Sequence, residues 1–414
     1  MSDIIVYKNV NILAGQDFRF LAKAYIAVNG EIIEDIGTGP APSGIDLNGA
    51  VVMPAFVNAH VHLADVGLKD GVIGLPTKEA VSPPFGVKYQ YLSSLSKLSL
   101  SQNFFNALEE LSHNGIAAFG VFCERGAEGA LSLLQNLSQF PLQGVIFSEL
   151  GYNFSEEDIQ EIDVITEYVD GIGIGDIAYF SDNQLNIIKN ILKRKRKKFV
   201  IHVAETEEAQ CKCQQRWGKS EVERILEYKP DLLVHLTNPV ANDIDLVAKA
   251  EIPIVCCIRT NCILGDGIPP LVDLLKKEIP LALGTDNLML TSPDMFREMD
   301  WFSRLVRGQS RCANFVSEKF ILSVATIGGA RVLGLDKKLG SLEPGKEASF
   351  IVLDINTINL RNTKNIYASI VHRAGPQDII LFISRGKLCY KREYKASSVS
   401  GQHGSFPSGF PQTL

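Results

Sequence analysis

Between about residue 51 and residue 285, short apolar runs alternate with longer segments whose apolar residues recur at helical spacing. Strands covered on both faces read as unbroken apolar runs, so the alternation predicts parallel strands joined by crossover helices. Eight runs fit: VVMPAFVNAH (51–60), IAAFGVFC (116–123), QGVIFS (143–148), DGIGIGD (170–176), FVIHVA (199–204), DLLVHL (231–236), IPIVCCI (252–258) and PLALGT (280–285). Between the fourth and fifth, SDNQLNIIKNILKRKRKK reads as a helix. Ser181 or Asp182 is its N-cap, and its last turn is basic, as the helix dipole favours. Eight strand–helix units define an α/β chain whose residues 54–342 form a distorted (β/α)8, TIM-type barrel.

The flanks carry a different pattern. The N-terminal part is rich in β-formers, with Asn29-Gly30 between two such runs as a hairpin turn, and KEASFIVLDI and IILFISRGKLCYKREY add strands near the end. Residues 1–53 and 343–396 therefore read as one composite β-sandwich domain built from both chain ends. Residues 397–414 are too poor in core-forming residues to fold and read as a disordered tail. The basic run Lys193 to Lys198 lies where a helix ends on the barrel exterior, and reads as a solvated face before it reads as a nucleic-acid patch.

Composition narrows the function classes. Hydrophobic residues are 46% and charged residues 21% of the 414, an ordinary globular mixture in a chain long enough for a large core. A net charge of -6 gives no general attraction to phosphate backbones or anionic lipid, which argues against nucleic-acid and membrane partners. MSDIIVYKNVNIL lacks the basic start of a signal peptide, and no apolar run is long enough to span a bilayer, so a cytoplasmic protein is expected. The eight cysteines are scattered. Cys211-x-Cys213 and Cys256-Cys257 have no second pair at zinc-site spacing, so all are expected to be reduced thiols.

In such a barrel the active site lies at the C-terminal ends of the strands. Four of the seven histidines fall there: His60 and His62 on the first strand, His202 on the fifth, His235 on the sixth. The eighth run continues LGTDN and puts Asp286 on the same rim. His60 and His62 alternate along a strand and so face one side. Packing accounts for any one of these residues, but poorly for four imidazoles and an acid together, and the cluster points to a metal centre. Glu205, three residues after His202, is placed for proton transfer; its alternative role is capping a helix that begins at ETEEAQ.

Taken together, VMPAFVNAHVHLAD, VIHVAETEE, VHLTNP, NCILGDGIPP and LALGTDN resemble the amidohydrolase superfamily, specifically its branch of metal-dependent aminohydrolases that deaminate bases, nucleosides and triazines. TIGGARVLG and GSLEPGKEASFIVLD resemble the family's closing helix and its return to the β domain, so the likeness covers nearly the whole chain. The resemblance implies that His60, His62, His202 and Asp286 hold the metal, that Glu205 shuttles protons, and that His235 acts beside the metal. It also implies a homo-oligomer. Three neutral imidazoles and one carboxylate leave a coordination position for water, whose pKa a divalent metal lowers towards about 7. The resulting hydroxide attacks an electron-poor ring carbon, while Glu205 protonates the ring nitrogen and later the departing ammonia. Asp286 combines ligation with orienting the nucleophile. Two-metal members carry a lysine on the fourth strand. Here that strand reads GIGIGDIAYF, so one divalent metal is expected: zinc, with iron(II) or manganese(II) as alternatives.

The pocket departs from that pattern. Nucleoside-deaminating members place a ribose-binding glutamate in the loop after His-x-His and a histidine after the fourth strand. Here SPPFGVKYQYLSSLS holds no acid, and Asp176, Ile177 and Ala178 follow the fourth strand, so nucleoside specificity is not implied. Arg259 and Asn261, in CIRTNCILGDG, and Tyr89, with Glu79 and Lys88 in the long first loop, are candidate substrate contacts. Arg259 reads equally as a structural ion pair, and Asn261 equally as a brace for the eighth-strand loop. Ser349 stands where the family has an aspartate in its closing motif, a change that concerns the β domain. The leading expectation is hydrolytic deamination of a small heterocyclic substrate. Opening of an imidazolone- or hydantoin-type cyclic amide is the alternative, and a noncatalytic scaffold the second alternative.

Overall fold

The computed structural model describes residues 4–41, 43–152, 155–240 and 242–392. In chain order its strands begin with β1 (Ile5–Ala14), β2 (Arg19–Asn29), β3 (Ile32–Thr38), β4 (Ile45–Asp46) and β5 (Val51–Pro54). Then come β6 (Phe56–His62), β7 (Ile116–Cys123), β8 (Gln143–Glu149), β9 (Gly171–Ile174), β10 (Lys198–Val203), β11 (Leu232–His235), β12 (Ile254–Cys256), β13 (Leu281–Leu283) and β14 (Asp286–Asn287). The series ends with β15 (Phe350–Leu353), β16 (Ile379–Ser384) and β17 (Lys387–Lys391).

Strands β6 to β14 make one parallel sheet in the order β13-β12-β11-β10-β9-β8-β7-β6-β14. β13 and β14 are two halves of a single eighth strand, broken at Gly284 and Thr285. The first half pairs with β12 and the second with β6, which closes the ring. The break is spanned by Gly284 N–H donating to the Cys256 carbonyl and Thr285 N–H donating to the His60 carbonyl. A Cβ at position 284 would stand 2.8 Å from the His60 carbonyl oxygen, so closure here needs glycine. The barrel strands are almost wholly buried, which explains why they read as continuous apolar runs.

The other sheet runs β17-β16-β15-β5-β1-β2-β3, with β4 added beside β1, and draws on both ends of the chain. Its inner face encloses a core that includes Tyr7, Ile12, Ile26, Val52, Phe350 and Ile383. One expectation is corrected here. VVMPAFVNAH is two strands in two sheets: Val51–Pro54 pairs antiparallel with β15 and parallel with β1, and only Phe56–His62 enters the barrel. Both pieces are buried, so nothing in their apolarity marks the change at Ala55, which follows from where each finds a partner. Ser349 directly precedes β15 of this sheet, its hydroxyl accepting from the Arg385 N–H.

The helix after β9 runs Asp182–Lys195, with Ser181 and Gln184 forming a capping box. Most of its basic end is spent locally. Arg194 pairs with Asp163 and Lys195 with Glu167, while the Lys197 and Lys198 ammonium groups donate to the carbonyls of Val169 and Val332. Cysteines of the described residues are all free thiols. No helix among the described residues is long and apolar enough to cross a membrane. The tail at 397–414 lies outside the described residues.

Candidate active site

The C-terminal ends of β6, β10 and β11, with the first residue of β14, bring His60, His62, His202, His235 and Asp286 to one buried cluster. β6 is irregular against β7 between Asn58 and Val61, within the segment that carries His60. Asn58 clamps the eighth strand from the far side, donating to the Thr285 hydroxyl at 2.6 Å and accepting from its N–H at 3.0 Å. His235 and Asp286 hold φ values of 78° and 60°. For residues other than glycine this conformation costs on the order of 1–3 kcal/mol each, and such strain collects at functional positions.

The distances within the cluster are specific. Asp286 Oδ1 lies 3.4 Å from His60 Nε2 and 3.4 Å from His62 Nε2, and His202 Nε2 lies 3.1 Å from His60 Nε2. Donors held at roughly 2.0–2.1 Å around a tetrahedral ion stand about 3.4 Å apart. Asp286 Oδ1 is buried without a hydrogen-bond partner, an arrangement that costs free energy unless a cation is meant to be there. Burial draws the His60 pKa down to about 4 and lowers those of His202 and His235, which keeps these imidazoles neutral as ligation requires. His62 differs: burial and Lys88 oppose its protonation, but the Glu124 and Asp286 carboxylates together outweigh them and raise its pKa. These residues fit a divalent cation held by three imidazoles and one carboxylate. Phe122 stacks on the His202 ring at 4.6 Å and 3°, fixing its plane.

Glu205, in the loop after β10, stands 4.0 Å from His202 Nδ1 and 3.8 Å from His235 Nε2, outside the tighter set. Burial, then the Asp266 and Asp286 carboxylates, push its pKa well above the usual glutamate value. Its surroundings therefore favour the proton-bearing form, the one a general acid needs, in a carboxyl that faces the cluster. His235 Nδ1 is 3.1 Å from the Asn261 amide nitrogen and 3.4 Å from its amide oxygen, and His235 Nε2 has no hydrogen-bond partner. The amide nitrogen is the nearer of the two atoms, and an amide that donates to Nδ1 leaves the proton on Nε2, directed at the cluster. Asn261→Leu should let the ring turn and lower kcat by about tenfold or more at little change in KM, checked by steady-state kinetics.

A cavity of about 370 Å³ opens over the cluster, with His62, His202, Glu205 and Asp286 in its lining and Lys88, Tyr89, Glu149, Asp176 and Tyr179 along its wall. Tyr89 thus reaches the cavity, where its hydroxyl donates to Glu149 at 2.7 Å. Asn261 is fully buried, does not line the cavity, and reaches His235. Arg259 turns away: its guanidinium pairs with Glu298 at 3.2 Å and donates to the Ser292 carbonyl at 3.1 Å, and it does not line the cavity. Sequence reasoning missed Glu124, Glu149 and Asp266, which all stand near the site. Glu124 directly follows β7 and Glu149 ends β8, so the rule that led to the histidines, reading the residues around the C-terminal end of each barrel strand, would have found both.

The amidohydrolase family matches residues 51–389. A protein of Methanothermobacter thermautotrophicus, named provisionally as an aminohydrolase, is 33% identical over 93% of this chain and 99% of its own length. The 5-methylthioadenosine/S-adenosylhomocysteine deaminase of Moorella thermoacetica is 24% identical over 90% of this chain and 91% of its own. In fold, the chain is similar to a zinc-bound adenosine deaminase from Xanthomonas campestris, with a TM-score of 0.83, 18% identity and coverage of 93% of this chain and 92% of that one. The chain belongs to the amidohydrolase family and is, by that membership, a hydrolase of carbon–nitrogen bonds other than peptides.

Proposed function

We propose that the protein hydrolytically deaminates an amino-substituted heterocycle and releases ammonia. In this reading His60, His62, His202 and Asp286 hold one divalent ion, zinc first. The observation that carries it is the buried Glu205 carboxyl set 4.0 and 3.8 Å from two imidazoles of a cluster that also contains an unpartnered carboxylate oxygen. When bound, a divalent ion supplies the Lewis acidity that makes water a nucleophile at neutral pH.

The chain's own groups manage the protons. Glu205 gives its proton to the ring nitrogen as the water oxygen adds to the neighbouring carbon. The carboxylate so formed takes a proton from that oxygen and passes it to the amino group, which departs as ammonia. Loss of the last hydroxyl proton to Glu205 leaves a ring carbonyl and restores the acid. His235, donating through Nε2, steadies negative charge on the added oxygen. Glu149 and Tyr89 contact the substrate away from the reacting carbon. The Moorella and Xanthomonas relatives, named for the deamination of adenosine-type compounds, support this class of substrate.

Ammonia release across aminopurines, aminopyrimidines, nucleosides, pterins and triazines tests the reading, with zinc-, iron- and manganese-loaded protein. Ammonia in equal amount to substrate consumed is the expected result for at least one compound. Ultraviolet change without ammonia on a cyclic amide, with silence on every amine, would replace deamination by ring opening.

A further inference from the structure

Lys88 is 2% exposed, on the helix Val87–Ser94 in the loop that follows β6. A buried ammonium requires a counter-charge, and Lys88 Nζ lies 2.8 Å from Glu124 Oε1. The same carboxylate oxygen lies 2.7 Å from His62 Nδ1, and Nζ itself lies 3.0 Å from that nitrogen. Glu124 Oε2 is buried with no hydrogen-bond partner, so the carboxylate is held through Oε1 alone. Glu124 reaches this point because β7 pairs with β6, Val121 beside Val61, bringing the ends of the two strands together.

With His62 neutral, as ligation requires, the triangle of Nζ, Oε1 and Nδ1 has two proton arrangements. An ammonium has no lone pair and a carboxylate has no proton, so His62 either donates its Nδ1 proton to Glu124 or accepts one from Lys88. In the first case Nε2 carries a lone pair towards Asp286 and His60. In the second Nε2 carries the proton and cannot bind a cation. The carboxylate is the charged acceptor for both neighbours, at 2.8 Å from Nζ and 2.7 Å from Nδ1, and this selects the first.

We infer that Glu124 and Lys88 are positioning residues for His62: Lys88 anchors the Glu124 carboxylate, and Glu124 holds the imidazole as the Nδ1–H tautomer with Nε2 directed at the metal centre. Because Lys88 also lines the cavity, the loop after β6 is tied to a metal ligand by the same contact. The inference rests on the metal centre of the proposed function.

Zinc retention against a competing chelator tests it, beside circular dichroism and the visible bands of cobalt-loaded protein. Glu124→Gln leaves the ammonium unpaired, so the double variant Glu124→Gln with Lys88→Met is measured too, which removes both charges and keeps the volumes. Each should hold zinc about 10- to 100-fold more weakly than the unaltered chain, with shifted cobalt bands and an unchanged fold. Lys88→Met alone should fall between. Retention equal to the unaltered chain in a folded double variant would overturn the positioning role while leaving the metal centre intact. Failure of the unaltered chain to bind any divalent ion would overturn both.

Discussion

Replacing Glu205 with glutamine is expected to leave a folded, metal-loaded protein whose kcat has fallen by about 10²- to 10⁴-fold, the range attached to one positioned acid–base group. Glutamine keeps the length and the hydrogen-bonding outline of the side chain but cannot exchange a proton. Because burial already favours the neutral form of Glu205, the substitution changes little electrostatically in the resting protein. Retention of metal follows from position: the carboxylate stands 4.0 Å from His202 Nδ1, on the side of that ring away from its Nε2 contact with His60. Kinetics on the substrate found by ammonia release, with zinc per chain by elemental analysis, decide the matter. Turnover equal to the unaltered enzyme would remove Glu205 from the chemistry.

Asp286→Asn should lose the metal and, with it, activity. The choice of asparagine matters. Position 286 holds a φ of 60°, a conformation that asparagine tolerates and alanine resists, so backbone strain is not confused with lost ligation. The amide retains the size of the carboxylate but not its charge, and an uncharged group facing three imidazoles offers a divalent ion much less than the native set. After dialysis against a chelator, zinc should drop from near one per chain to near none with the circular dichroism spectrum preserved. His62→Ala should behave alike. A full complement of metal in either variant would undo the ligand assignment.

Much of the barrel was legible because burial on both faces is written into each strand: IAAFGVFC and FVIHVA need no partner in view to be recognised. The rim cluster was legible for a related reason, since the strand-end rule turns a position in the chain into a position in space. Where the rule was applied only to histidines and the final acid, Glu124 and Glu149 passed unnoticed. Apolarity also failed to divide VVMPAFVNAH, since both halves are equally buried and only pairing separates them. Arg259 reads as a possible substrate contact from its place beside Asn261, yet a buried Glu298 on the helix Met295–Ser310 takes its charge.

By itself, the order of residues determined the alternation of strands and helices, the set of imidazoles at strand ends and the lack of a lysine on the fourth strand. These depend on periodicity and on neighbours along the chain. Only the tertiary structure decided which carboxylate faces which imidazole. The His62–Glu124 contact joins residues 62 positions apart, and the clamp of Asn58 on Thr285 joins residues 227 apart. Such contacts are set by the register in which β6 meets β7 and β14, and that register is chosen by the packing of the whole barrel, which no local pattern encodes.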